Sequence, residues 1–263
     1  MKNLFSIGTM EQASGLLLAE LGQQYCTVAQ IPEGSQNVSG LRMVGWDGPS
    51  IPAEELVEVL SFPGSRFDRV VICSAFPQST LVPHKYFHSV AAADPLFSAD
   101  GKQLYDTVPE WQLMNIYYLP LAVYEGVSHL YPQAEYFHAY TPPLKIYNGF
   151  VAEDQVSVHV GPGEIRVVVR KGGRLELVQT YAYATSLDVV YFLLKICYEF
   201  QLPQGDVLLI LSGLVAEDSA LYRDLRQYFG NLHFSKPVSV GLDDTAHPQH
   251  YFASLYNLAA CVL

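Results

Sequence analysis

Residues Val156–Leu177 read VSVHVGPGEIRVVVRKGGRLEL. Apolar residues recur at every second position, and two glycine-bearing breaks, Gly161-Pro162-Gly163 and Lys171-Gly172-Gly173, interrupt the run. A period of two places successive side chains on opposite faces, which is the signature of strands, and the breaks are turn chemistry. The stretch therefore predicts three antiparallel strands in a meander, near Val156–Val160, Glu164–Arg170 and Arg174–Thr180.

Working outward, a helix begins at about Thr185. Leu187, Val190, Leu194 and Cys197 recur at helical spacing, and Val189, Leu193 and Ile196 widen that face. Thr185 or Ser186 can accept from the first free backbone N–H groups, and Asp188 complements the dipole. Asp206–Gly213 (DVLLILSG) is a continuous apolar run expected of a strand buried on both faces. A helix over about Asp218–Phe229, closed by Gly230, precedes a strand at Asn231–Phe234 and a closing helix in HYFASLYNLAACVL.

The first half runs in the same order. Leu4–Met10, Ser14–Leu21 and Tyr25–Ile31 are three strand candidates, and Glu33–Gly48 reads as a Gly/Ser/Asn-rich loop. Pro52 starts a helix carrying Leu56, Val59 and Leu60, and RVVICSAF (Arg69–Phe76) is the buried strand that follows. Trp111–Pro120, a helix over Leu121–Leu130, and Glu135–Tyr140 are expected to complete this half. The segment near 83–110 is an insertion. The expected organisation is a first half over 1–150 and a second over 151–263.

At this point the chain resembles the actin-like ATPase superfamily, in which two ribonuclease H-like modules are duplicated. More narrowly, it is similar to an uncharacterised bacterial family assigned that fold. VVICSAFPQSTLVP (70–83), NIYYLPLAVYEGVSHLYP (115–132) and PQHYFASLYNLAACVL (248–263) carry the likeness. The fold class implied is α/β, with two mixed five-stranded sheets flanked by helices.

The resemblance also implies an Asp-x-Gly at the first turn of each half, where carboxylates organise Mg²⁺ and backbone N–H groups hold phosphate oxygens. Counted from the first strand candidate, those positions read Ser6-Ile7-Gly8, followed by Thr9, and His159-Val160-Gly161. Both carboxylates are missing, and Pro162 removes an N–H donor from the second turn. Ser6, Gly8, Thr9, His159, Gly161, Gly163, Ser212 and Gly213 mark a vestigial nucleotide site. Two readings follow. The glycines serve only tight turns, or ATP binds without turnover.

Composition excludes several classes. A net charge of −11, with 15 Lys and Arg scattered along 263 residues, argues against a nucleic-acid partner. The most apolar segment, 187–200, includes Asp188, Lys195 and Glu199 and falls short of a membrane span. Lys2-Asn3 leads straight into a strand, not a secretory leader. Cys26, Cys73, Cys197 and Cys261 form no close pair, which fits free thiols in a cytoplasmic protein.

His84 and His88 have the four-residue spacing of a metal pair, but Lys85 stands where a zinc protease would have Glu. His247 and His250 have no acidic or thiol companion at ligand spacing, so no metal is expected. Ser74 and Ser212 end buried strands without a Gly-x-Ser-x-Gly elbow. The 18 tyrosines and 13 phenylalanines include a central group, Tyr117, Tyr118, Tyr124, Tyr131, Tyr136, Phe137, Tyr140 and Tyr147. Many aromatics, few charges and no intact motif favour a non-catalytic interaction or scaffold protein, with an unidentified protein partner or a second copy of itself. A nucleotide-binding switch with little hydrolysis is the alternative.

Overall fold

A computed structural model describes residues 1–10, 14–48, 50–62, 67–93, 101–146, 154–236, 240–242 and 246–263, with side chains throughout except at 91–93. Tyr147 lies outside the described residues. The chain divides into two compact units. The first comprises Met1–Asn148, Val238–Asp244 and Leu255–Leu263, the second Gly149–Pro237 and Thr245–Ser254.

The first unit opens with β1 Lys2–Gly8, β2 Gly15–Leu21, β3 Tyr25–Pro32, β4 Gly40–Gly45, α1 Ala53–Leu60 and β5 Arg69–Ser74. It continues through β6 Ser79–Pro83, α2 Phe87–Ala93, β7 Gly101–Val108, β8 Leu113–Pro120, α3 Leu121–Leu130, β9 Glu135–His138 and α4 Thr141–Ile146. Its main sheet has the order β1-β4-β3-β2-β5-β9. Every residue of β2 is buried, as its near-unbroken apolar run predicts. Leu17, Ala19 and Leu21 of β2 share one core with Leu56, Val59 and Leu60 of α1 and with Val123 and Val127 of α3. Glu55, in the first turn of α1, accepts a 2.6 Å hydrogen bond from the Trp46 indole N–H.

This sheet corrects two expectations. The supposed loop 33–48 contains β4, whose Leu41, Met43 and Val44 are buried. Glycines at both its ends hid the short alternation. The meander is therefore β2-β3-β4, and β1 joins it from outside by pairing with β4, giving six strands rather than five. That pairing brings the backbones together at Gly8 and Gly40. Gly8 has φ of +64°, and a Cβ there would stand 2.1 Å from the Ser39 carbonyl oxygen, so only glycine fits.

A second correction concerns the insertion. β6, β8 and β7 form a separate three-stranded sheet in that order. Thus Trp111–Pro120 supplies no strand to the main sheet, and β9 alone completes it. β7 and β8 pair along their whole length, from Gly101 with Pro120 to Val108 with Leu113, across the short Pro109–Trp111 turn. The nearest antiparallel neighbour captures β8, which its apolar pattern alone does not reveal.

The second unit holds β10 Gln155–Gly161, β11 Glu164–Lys171, β12 Arg174–Ala182, α5 Ser186–Glu199, β13 Leu208–Gly213, α6 Ala220–Arg226 and β14 Leu232–Phe234. The last helix of the chain is α7, Ala253–Val262. The five-stranded sheet has the order β12-β11-β10-β13-β14. Its hairpins turn on Pro162-Gly163 and Gly172-Gly173, where Gly163, Gly172 and Gly173 all have positive φ.

Of the two expected caps, Thr185 rather than Ser186 caps α5, and it forms a capping box with Asp188. The buried face, however, is Val189, Val190, Leu193, Ile196 and Cys197, and Leu187 points outward. Apolar residues ring so much of this helix that spacing alone did not fix which side meets the core. α6 is shorter than expected: Ser219 caps it and Gln227 ends it, so Gly230 is no C-cap. Phe229 is buried beyond the helix end and fixes the chain there. Among the described residues no helix is long and apolar enough to cross a membrane.

Candidate functional site

Each unit contains a central parallel strand pair followed by the same local geometry. β2 lies parallel to β5, with Glu20 opposite Cys73 and Leu21 opposite Ser74. β10 lies parallel to β13, with His159 opposite Ser212 and Val160 opposite Gly213. Ala75 N–H donates to Leu21 O at 2.8 Å, as Leu214 N–H donates to Val160 O at 2.7 Å. Two-residue turns follow, from Gly22 to Tyr25 and from Gly161 to Glu164. Glu20-Leu21-Gly22 is thus the counterpart of His159-Val160-Gly161.

Ser6, Gly8 and Thr9 do not stand at that position. Ser6 and Gly8 lie on edge strand β1, Thr9 follows it, and all three are exposed. The expectation that both carboxylates are missing therefore fails for the first unit. The first turn carries Glu20, one methylene longer than Asp. Its side chain is 3% exposed and accepts a 2.6 Å hydrogen bond from Tyr25 Oη. The sequence signal was present in AELG, but counting strands from the chain start skipped it.

In the second unit His159 Nδ1 lies 3.1 Å from Ser212 Oγ, which also reaches Val158 O at 3.4 Å. His159 faces Arg166 across β10 and β11. Val156, Val158 and Val160 of β10 and Ile165, Val167 and Val169 of β11 point to the apolar core, so Gln155, His159, Glu164, Arg166 and Arg170 share the opposite face. A cation such as Mg²⁺ placed at the His159–Arg166 pair would meet imidazole and guanidinium rather than oxygen ligands. Gly213 has a structural reason: at φ of +80° its Cβ would stand 2.1 Å from Val160 O. Gly163 supplies the positive φ its turn needs.

Sequence reasoning missed a buried polar network at the C-terminal edge of β5 and β9. Leu104, Asp106 and Val108 alternate on one face of β7, which marks Asp106 as inward-facing. Asp106 accepts hydrogen bonds from Thr141 Oγ1 at 2.6 Å, the His138 backbone N–H at 2.7 Å and Tyr117 Oη at 3.2 Å. Burial outweighs those donors and pushes its carboxyl up to about 6. His138 Nδ1 accepts from Tyr140 N–H, so Nε2 carries the proton and donates to Phe76 O at 2.9 Å.

Ser74 sits beside His138 in the adjacent strand, but both ring nitrogens are taken by backbone. Ser74 and His138 therefore form no Ser–His relay. His84 belongs to a short 3₁₀ turn and His88 to α2, and His250 is buried with Nε2 on Val215 O. Among the described residues no cluster of His, Cys, Asp or Glu could hold a metal.

The sequence matches the model of DUF3822, a family described as protein of unknown function, over residues 53–232. This chain belongs to the DUF3822 family. No curated protein matches it. Among solved structures, it is similar to a Bacteroides thetaiotaomicron VPI-5482 protein with an actin-like ATPase fold and unknown function. They share 14% identity over 94% of this chain and 95% of that one, with a TM-score of 0.73. A chain of the PilM–PilN type IV pilus biogenesis complex matches at 13% identity, covering 96% and 99%, with a TM-score of 0.64. The ethanolamine utilization protein EutJ from Carboxydothermus hydrogenoformans matches at 10% identity, covering 92% and 88%, with a TM-score of 0.50. The DUF3822 chain therefore has an actin-like ATPase fold. The family match begins at α1, downstream of the Glu20 turn.

Proposed function

We propose that this DUF3822 protein is a non-catalytic actin-like module that acts through protein–protein contacts in a reducing compartment. The observation that carries this reading is the asymmetry of the two equivalent turns. One carboxylate, Glu20, is buried and engaged by Tyr25, and the other is replaced by His159 beside Arg166. Hard divalent cations need oxygen ligands, so the turn that carries His159 is a poor place for Mg²⁺. The fold's similarity to a chain from the PilM–PilN complex supports a role in binding a protein partner. The compartment is supported by four free cysteines, of which burial pushes Cys197 and Cys261 up to about 11 and keeps them unreactive.

The test is a thermal-shift series with ATP or ADP and Mg²⁺. Anything that binds only the folded state raises Tm by mass action, so the interaction reading expects no shift at about 1–5 mM nucleotide. A nucleotide-responsive switch is the competing reading, and the retained Glu20 favours it. A concentration-dependent rise in Tm that Glu20→Gln abolishes would establish the switch.

A further inference from the structure

The turn Pro109–Trp111 carries the chain from β7 into β8, and Gln112, which follows it, has φ of +54°. Gln112 O accepts from His84 N–H at 2.8 Å, which ties this turn to the end of β6. Both segments, with Thr107 of β7, line an open cleft of about 800 Å³ within the first unit. That size lies inside the roughly 300–1,000 Å³ of small-molecule sites.

The apolar part of the lining is stiff. Trp111 indole N–H donates to Leu144 O at 3.0 Å, which fixes the ring, and Pro83 and Pro109 have locked φ. A wall of flat rings favours a flat apolar ligand. The polar part is Lys85, His84, Thr107 and Gln112, each of which can donate a hydrogen bond. No Asp or Glu lines the cleft, and Glu110 is exposed on the same turn without contributing to the lining. Among the described residues Lys85 makes no ion pair, and its ammonium rests 4.7 Å from the Tyr86 ring centroid. In a chain of net charge −11, an unneutralised lysine among neutral donors is a place for an anion. A single lysine matches one negative charge, whereas a polyphosphate would bring several.

We propose that this cleft binds a small aromatic carboxylate, with its ring against Trp111 and the two prolines and its carboxylate held by Lys85, Thr107 and Gln112. The proposal goes beyond the interaction reading and does not depend on it. So open a site should bind weakly, with a Kd of about 0.5–5 mM.

Indole ¹H–¹⁵N signals report on the cleft directly, because the chain has two tryptophans and the other, Trp46, is buried. Trp46→Phe assigns the pair. Titrating the full chain with benzoate to about 20 mM should shift the Trp111 signal saturably and leave that of Trp46 in place. Benzyl alcohol, which keeps the ring without the charge, and acetate, which keeps the charge without the ring, should each bind about tenfold more weakly. Lys85→Gln should raise the benzoate Kd about fivefold or more. Lys102→Gln, at an exposed lysine outside the lining, should leave it unchanged. No saturable shift at Trp111, equal binding of either fragment, or indifference to Lys85→Gln overturns the proposal. Those results leave the interaction reading standing, and a nucleotide shift that Glu20→Gln abolishes would overturn that reading and leave the cleft.

Discussion

Tyr25 Oη donates a 2.6 Å hydrogen bond to Glu20 across the turn that links β2 and β3, and both residues are buried. The bond bridges the ends of two strands at the turn equivalent to that of His159. Tyr25→Phe removes the donor and nothing else of size. The expected cost is about 1–3 kcal/mol, the range for withdrawing a partner from a buried polar group, read as a lower urea midpoint with unchanged m.

Asp106 gives the first unit a pH dependence whose sign is fixed by burial. Its folded carboxyl titrates at about 6, above the roughly 3.9 of an unfolded Asp, so the native state holds the proton more tightly. The stability this group contributes is full below about pH 4 and is lost as pH rises through 6. Asp106→Asn keeps an acceptor for Thr141 and His138 and lets the amide donate to Tyr117. It should flatten the pH 4–6 slope of Tm, removing up to about 3 kcal/mol of pH-dependent change.

His250 works in the opposite direction in the second unit. Desolvation lowers its pKa even though Nε2 bonds Val215 O, and its ring stacks on Phe234 at 4.0 Å. The folded state resists protonation, so this group costs stability as pH falls through the ordinary histidine range near 6.5. His250→Phe should remove that acid sensitivity, seen as a smaller Tm difference between pH 7 and pH 5.5 relative to the parent.

Two glycines separate the cost of backbone conformation from the cost of space. Gly172 has φ of +55° with nothing within 4 Å of a built Cβ, so Gly172→Ala should cost about 1–2 kcal/mol. Gly213 has φ of +80° and a Cβ that would stand 2.1 Å from Val160 O. Gly213→Ala must also part β10 from β13, and should destabilise by more than about 3 kcal/mol. Denaturant melts of the two variants give the comparison directly.

The architecture was legible wherever an element carries its own local signal, whether alternation, an unbroken apolar run or a glycine turn. β10, β11 and β12 announced themselves by alternation and glycine turns, and Thr185 with Asp188 marked the start of α5. What failed was pairing. Nothing local in LFSIG says that β1 sits beside β4, nor in NIYYLP that β8 leaves the main sheet, because partner choice depends on long-range closure. The error at the site came from the same source: one extra strand shifted the count, and Ser6 was read where Glu20 belongs. The Asp106 network stayed hidden because its donors come from β8, β9 and α4, brought together only by folding.

Among the described residues β1 pairs with β4 alone, and in doing so it shields a row of β4 backbone donors and acceptors that would otherwise face solvent. Cutting the chain after Gly8 would spare the helices and the Glu20 turn but bare a flat, sticky margin on β4. Such a truncation should fold and then precipitate, making the first strand less a part of the machinery than a guard against aggregation.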